Sequence, residues 1–77
     1  MFRYSICNVS DKEIFENQCL ALERNIKDLH KGKQLMDVDG SIVQYYSLGD
    51  KIITVHNSIY LNEVYIQSEF DLNIHFN

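Results

Sequence analysis

Met36-Asp-Val-Asp-Gly-Ser-Ile-Val-Gln-Tyr-Tyr-Ser-Leu-Gly-Asp-Lys-Ile-Ile-Thr-Val-His56 sets two turn signals among stretches rich in β-branched and aromatic residues. Asp39-Gly40 is a two-residue hairpin signal, because the favoured turn needs positive φ at both central positions. Read that way, Val38 lies opposite Ser41 and Met36 opposite Val43, while Asp37 and Ile42 share the other face. Residues 47–50 carry the next turn, and its length chooses the register. A three-residue loop, Leu48-Gly-Asp50, aligns Tyr45 with Ile53 and Val43 with Val55, continuing the face of Met36 and Val38. A two-residue Gly-Asp turn sets Tyr45 against Thr54 and Val43 against His56 instead. The first register is preferred. The strand that begins at Lys51 is expected to end at His56, followed by a turn or bulge at Asn57-Ser58 and an apolar step, Ile59-Tyr60-Leu61.

Toward the N-terminus, residues 2–9 alternate, with Phe2, Tyr4 and Ile6 on one face and Arg3, Ser5 and Cys7 on the other, as in a strand. Ser10-Asp-Lys-Glu13 has the form of a capping box and starts a helix. Phe15, Cys19, Leu22, Ile26 and Leu29 then recur at intervals of four and three, one narrow apolar stripe. Gly32, after His30-Lys31, is placed to close the helix. Acidic Asp11, Glu13 and Glu16 sit at the end where the helix dipole favours them. Leu20 projects away from the stripe and, near Ile14 or Lys27, is a candidate anchor for a second surface.

Toward the C-terminus, Val64, Ile66, Phe70, Leu72, Ile74 and Phe76 share one parity against a wet opposite parity. An unbroken strand over 64–77 would reach about 43–46 Å, against a diameter of about 30 Å for a compact chain of this size. The tail must bend, break or pair elsewhere. Ser68 interrupts the apolar parity, so the bend is expected at 67–69, with 64–66 in the sheet and 70–76 exposing more apolar surface than the domain can cover.

These elements give an α+β fold: a single small domain with one helix on one face of a mainly antiparallel sheet of four to five strands, in the order β-α-β-β-β-β. The expected core is Tyr4, Ile6, Phe15, Cys19, Leu22, Ile26, Leu29, Met36, Val38, Val43, Ile53, Val55, Ile66 and Phe70. At 77 residues such a core supplies little net stability, which makes a partner surface valuable.

Composition narrows the function. No apolar run reaches the length of a membrane span, and the N-terminus has no secretory pattern, so no membrane is expected and cytoplasmic residence is. Cys7 and Cys19 fit reduced thiols used as small hydrophobes, although a bridge between strand and helix is geometrically conceivable. The Asn8-Val9-Ser10 sequon has meaning only on secretion. A net charge of −4 speaks against phosphate-dominated nucleic-acid binding, though Arg24, Lys27, Lys31 and Lys33 would be the residues of such a module. One alanine, no proline, no tryptophan and many Ile, Asn, Tyr, Lys and Phe point to an A/T-rich gene, as in a phage or other mobile element.

Chemistry is sparse. Asp37-Val-Asp39-Gly40-Ser41 resembles a calcium loop, but its glycine comes too early and the bidentate glutamate is missing. His30, His56 and His75 with Cys7 and Cys19 lack metal-ligand spacing, and no nucleophile elbow or Gly-rich phosphate loop occurs. The expectation is a non-enzymatic chain without cofactor or metal. In the preferred register Ile42, Tyr46 and Ile52 gather on the sheet's open face, joined by Tyr60 or Tyr65, unless residues 57–63 cover that face. With Glu63, Glu69, Asp71, Leu72, Ile74 and Phe76 they form the expected partner-binding set. That set describes a protein-binding module acting as an inhibitor, an immunity or antitoxin-like factor, or a phage-encoded modifier. The alternative is a homodimer built through the C-terminal strand.

Overall fold

The structure, a computed structural model, describes residues 1–75. Strand β1 (Phe2–Cys7) leads into helix α1 (Lys12–Asn25), and four strands follow: β2 (His30–Met36), β3 (Ile42–Leu48), β4 (Lys51–Ser58) and β5 (Glu63–Ser68). A short 3-10 turn, Leu72–His75, ends the described chain. All neighbouring strands are antiparallel, in the order β1-β5-β4-β3-β2, so the first strand pairs with the last and α1 carries the chain from one sheet edge to the other. The α+β architecture and the element order read from the sequence are those observed.

Register is where the structure departs from the reading. Asp37 N donates to Ser41 O (2.8 Å) and Gly40 N to Asp37 O (3.1 Å), with Gly40 at φ 93°. The loop is therefore the three residues 38–40, and Met36 lies opposite Ile42 instead of Val43. The second turn is the two-residue Gly49-Asp50, with Leu48 opposite Lys51, Tyr45 opposite Thr54 and Val43 opposite His56. Because side chains alternate with period two, this places Ile42, Gln44 and Tyr46 beneath the helix and Val43 and Tyr45 on the other face. The expected core loses Met36 and Val38, which are 69% and 104% exposed, and Ile6 also faces solvent. It gains Ile42, Tyr46, Val64 and Leu72.

Burying Gln44 has a local reason. The β2 ladder is interrupted between Lys31 and Gln34, and such a bulge leaves carbonyls without ladder partners. The Gln44 side-chain amide donates to Gly32 O (2.9 Å), with a longer contact to Lys33 O (3.3 Å), and to Tyr45 O (3.0 Å). Gly32 therefore serves the bulge and not the helix end. A Cβ there would stand 3.2 Å from Tyr45 O and 3.4 Å from Tyr45 Cβ, so a side chain at this position would have to press the Tyr45 backbone aside by a few tenths of an ångström.

The helix is shorter than its apolar stripe. Its N-cap is Asp11, not Ser10: the Asp11 carboxylate accepts from Ile14 N at 3.1 Å. The amides of Ser10 and Asp11 donate to Asn62 Oδ1 (2.9 Å) and Asn57 Oδ1 (3.0 Å). Asn57, expected in a turn, is thus a buried β4 residue that fixes where the helix begins. At the other end Ile26 turns extended, Asp28 adopts φ 66°, and Leu29 reaches the core from the connecting segment.

The tail breaks where Ser68 interrupts the alternation. Ser68 is fully buried; its hydroxyl accepts from Phe70 N (3.1 Å) and donates to Phe70 O (2.6 Å). The chain then folds back onto β1, where the Tyr4 hydroxyl accepts from Leu72 N (2.9 Å) and donates to Asp71 Oδ1 (3.0 Å). The molecule measures 32 × 24 × 22 Å, so a straight tail strand would have overrun it.

Candidate functional site

The helix and the returning tail lie on one side of the sheet, and the other side stays open. Across its middle run Leu35, Val43, His56, Tyr65 and Ser5, with Tyr45, Thr54, Gln67 and Arg3 in the next row and Ile52 beyond. Three of these side chains form a stack. His56 lies flat on Tyr65, with centroids 4.3 Å apart and planes 6° off parallel, and the Arg3 guanidinium sits 3.8 Å above the same tyrosine ring. Arg3 also pairs with Glu63. His56 Nε2 shares a hydrogen bond of 2.8 Å with Thr54 Oγ1. Partial burial, and secondarily the Arg3 charge, pull the His56 pKa below the ordinary imidazole value, so the ring is neutral at pH 7. The result is an ordered aromatic and cationic surface flanked by Val43, Tyr45 and Ile52.

The residues expected to bind a partner fall into several groups. Ile42 and Tyr46 are buried against the helix and cannot form an open-face patch; the one-residue slips at both turns exchanged them for Val43 and Tyr45. Ile52 does lie on the open face, 43% exposed. The three carboxylates have intramolecular work: Glu63 holds Arg3, Glu69 Oε1 accepts from Ile52 N (2.6 Å), and Asp71 takes the Tyr4 hydroxyl and Asn73 N (3.0 Å). Leu72 is core, Ile74 is 70% exposed, and Phe76 lies outside the described residues. The C-terminal strand has no edge to offer another chain, since β5 is paired on both sides, by β1 and by β4. The free edges belong to β1 and β2, and β2 carries Lys31, Lys33 and a bulge, features that discourage edge-to-edge pairing.

A second exposed surface escaped the sequence reading. Val9, Met36, Val38, Ile59, Tyr60 and Leu61 are all exposed, and the strand directions bring them to the sheet end where residues 8–11, 37–41 and 59–62 turn. Met36 and Val38 looked like core only in the wrong register. The legible signal was the apolar run Ile59-Tyr60-Leu61 in a segment that turns.

Elsewhere the structure offers a shallow hollow of about 250 Å³ between α1 and β2, lined by Phe15, Cys19, Glu23, Lys31 and Gln34 among others. There the Tyr46 hydroxyl donates to Glu23 Oε2 at 2.5 Å, and Lys31 Nζ stands 3.6 Å from the same carboxylate oxygen. Burial pushes the Cys19 thiol and the Tyr46 phenol upward, so both keep their protons at neutral pH and neither is activated as a nucleophile. Cys7 and Cys19 are unbridged. Among the described residues no group of three His, Cys, Asp or Glu is placed to hold a metal, and no helix is long and apolar enough to cross a membrane. Comparison with protein-family models, curated proteins and solved structures gives no match.

Proposed function

We propose that this chain is a non-enzymatic protein-binding module that masks a surface of a partner protein, in the manner of an inhibitor or an immunity or antitoxin-like factor. The observation that carries the reading is the open sheet face with its Arg3–Tyr65–His56 stack beside Val43, Tyr45 and Ile52. Antiparallel sheets that face water are ordinarily polar on that side, whereas Tyr and Arg are among the residues enriched at interface centres. The stack is already ordered, so docking on it immobilises few additional rotamers. Residence in the cytoplasm and origin in a phage or mobile element belong to the same proposal, supported by the unbridged cysteines and the residue usage.

The test is a pull-down from the native host with the wild-type chain and with the double variant Val43→Ser/Tyr45→Ser. A partner held by the wild type and lost by a folded variant supports masking through this face. Equal capture by both chains removes the face from the reading. Light scattering on the purified chain separates this from self-association, which would give twice the monomer mass.

A further inference from the structure

We propose that the apolar loop end, built by Val38, Ile59, Tyr60 and Leu61, is the contact surface for a basic protein that presents an apolar pocket rimmed by lysine or arginine. This inference rests on the reading of the chain as a protein-binding module and adds to it a second surface and a charge.

Three loops converge at this end and are tied together. Asn62 Oδ1 accepts from Ser10 N (2.9 Å), Ser41 Oγ accepts from Ile59 N (2.9 Å), and Gly40 lies against Ile59. Val38 and Tyr60 nevertheless stand almost wholly in solvent, at 104% and 88% exposure. Connections at a sheet end are usually polar, and large apolar groups held together on fixed loops mark an interaction site.

Charge selects the occupant. Asp37 and Asp39 flank Val38, and the turn holds both: Asp37 Oδ1 accepts from Val38 N (2.7 Å) and Asp39 Oδ1 from Ser41 N (2.9 Å). The hydrogen bonds from Ser41 keep the Asp39 carboxyl below its ordinary pKa, so it stays ionised. Neither carboxylate takes part in an ion pair among the described residues. No Lys or Arg occurs between Lys33 and Lys51 or after Lys51. Lys12, exposed at the start of α1, is the one lysine at this end; Arg24, Lys31, Lys33 and Lys51 gather at the opposite end, where α1 finishes and β2 and β4 start, so Asp37 and Asp39 leave the tip acidic. Two copies meeting tip to tip would press these carboxylates together, and nucleic acid or an anionic bilayer would be repelled by the same groups. A cationic rim around an apolar pocket satisfies both the exposed side chains and the unpaired charge.

Amide chemical shifts of the intact chain test this with two synthetic probes, a peptide alternating leucine and arginine and its leucine–glutamate counterpart. The expected result is that the arginine peptide alone shifts residues 37–41 and 59–62. Val38→Ser/Tyr60→Ser is expected to weaken it about tenfold, and Asp37→Asn/Asp39→Asn about fivefold, with loss of salt dependence. All four side chains are exposed, and the unchanged spectrum of the remaining residues verifies the fold. Equal binding of both peptides, shifts centred elsewhere, undiminished binding to the variants, or binding to phosphatidylglycerol vesicles would each overturn the proposal. So would growth of mass with concentration, which would mean that acidic and basic ends of successive copies join. If the tip fails while a host partner is still lost on Val43→Ser/Tyr45→Ser, the open-face reading stands without it.

Discussion

The two faces of the sheet are built from nearly the same kinds of side chain and have opposite fates. Beneath the helix β3 contributes Ile42, Gln44 and Tyr46; on the open side it contributes Val43 and Tyr45. Hydropathy alone would not rank the face that carries a glutamine as the inner one. What decides it is connection: Gly49-Asp50 closes a two-residue turn, residues 38–40 close a three-residue one, and the Gln44 amide repairs the β2 bulge from within. A polar group that completes a backbone network belongs inside even when an apolar alternative lies next to it in sequence.

That contrast can be broken most forcefully at the adjacent tyrosines. Tyr46→Ala, in the core, is expected to cost about 3–5 kcal/mol, enough to unfold much of so small a domain, whereas Tyr45→Ala should cost under about 1 kcal/mol. Urea denaturation of both variants decides it, and a larger loss at Tyr45 than at Tyr46 would mean that the faces are assigned the wrong way round. Gln44→Leu comes next. It keeps the volume but leaves the Gly32 and Tyr45 carbonyls without their donor, for an expected loss of about 1–3 kcal/mol. A gain in stability would show that the bulge does not need the amide.

Asp11→Ala should cost about 1 kcal/mol by removing the N-cap, while Ser10→Ala should cost much less; thermal unfolding of the pair distinguishes the observed cap from the one the capping-box pattern implied. The smallest effect belongs to the open face. His56 has a folded pKa depressed by burial and by Arg3, so the unfolded chain takes up its proton more readily. Its contribution is complete above the unfolded value of about 6.5 and is lost as pH falls toward the folded value. His56→Phe should therefore flatten the decline in stability on acidification below about pH 6.5, and an imidazole titrating at or above that value in the native chain would sink the stacking argument.

The parts legible in sequence were those governed by local pattern. The Phe15, Cys19, Leu22 and Ile26 stripe, the strand order along the chain and the break at Ser68 all follow from periodicity. Register was not legible, because residues 42–46 read as apolar in both parities, and each turn admits a neighbouring length that moves every side chain to the other face. Nor was the role of Asn57 or Asn62, whose side chains meet amides far away in sequence. Of the expected partner-binding residues, Ile52 and Glu63 lie on the open face, Glu63 already holding Arg3; the other carboxylates were mistaken for free surface because nothing in sequence reveals that Ile52 N or the Tyr4 hydroxyl would claim them.

Pairing the first strand with the last has a consequence for synthesis. Phe2 meets Ser68 and Tyr4 meets Ile66, so β1 has no partner until β5 has been made. The β2–β3–β4–β5 meander can close through short turns as it emerges, and α1 can dock on β3 and β4 before β5 is complete, but β1 must wait for β5. Shortening the chain before residue 63 would remove the neighbour that separates β1 from β4. A ribosome stalled with that segment still in its tunnel would hold an incomplete sheet, its β4 edge open to whatever strand arrives first.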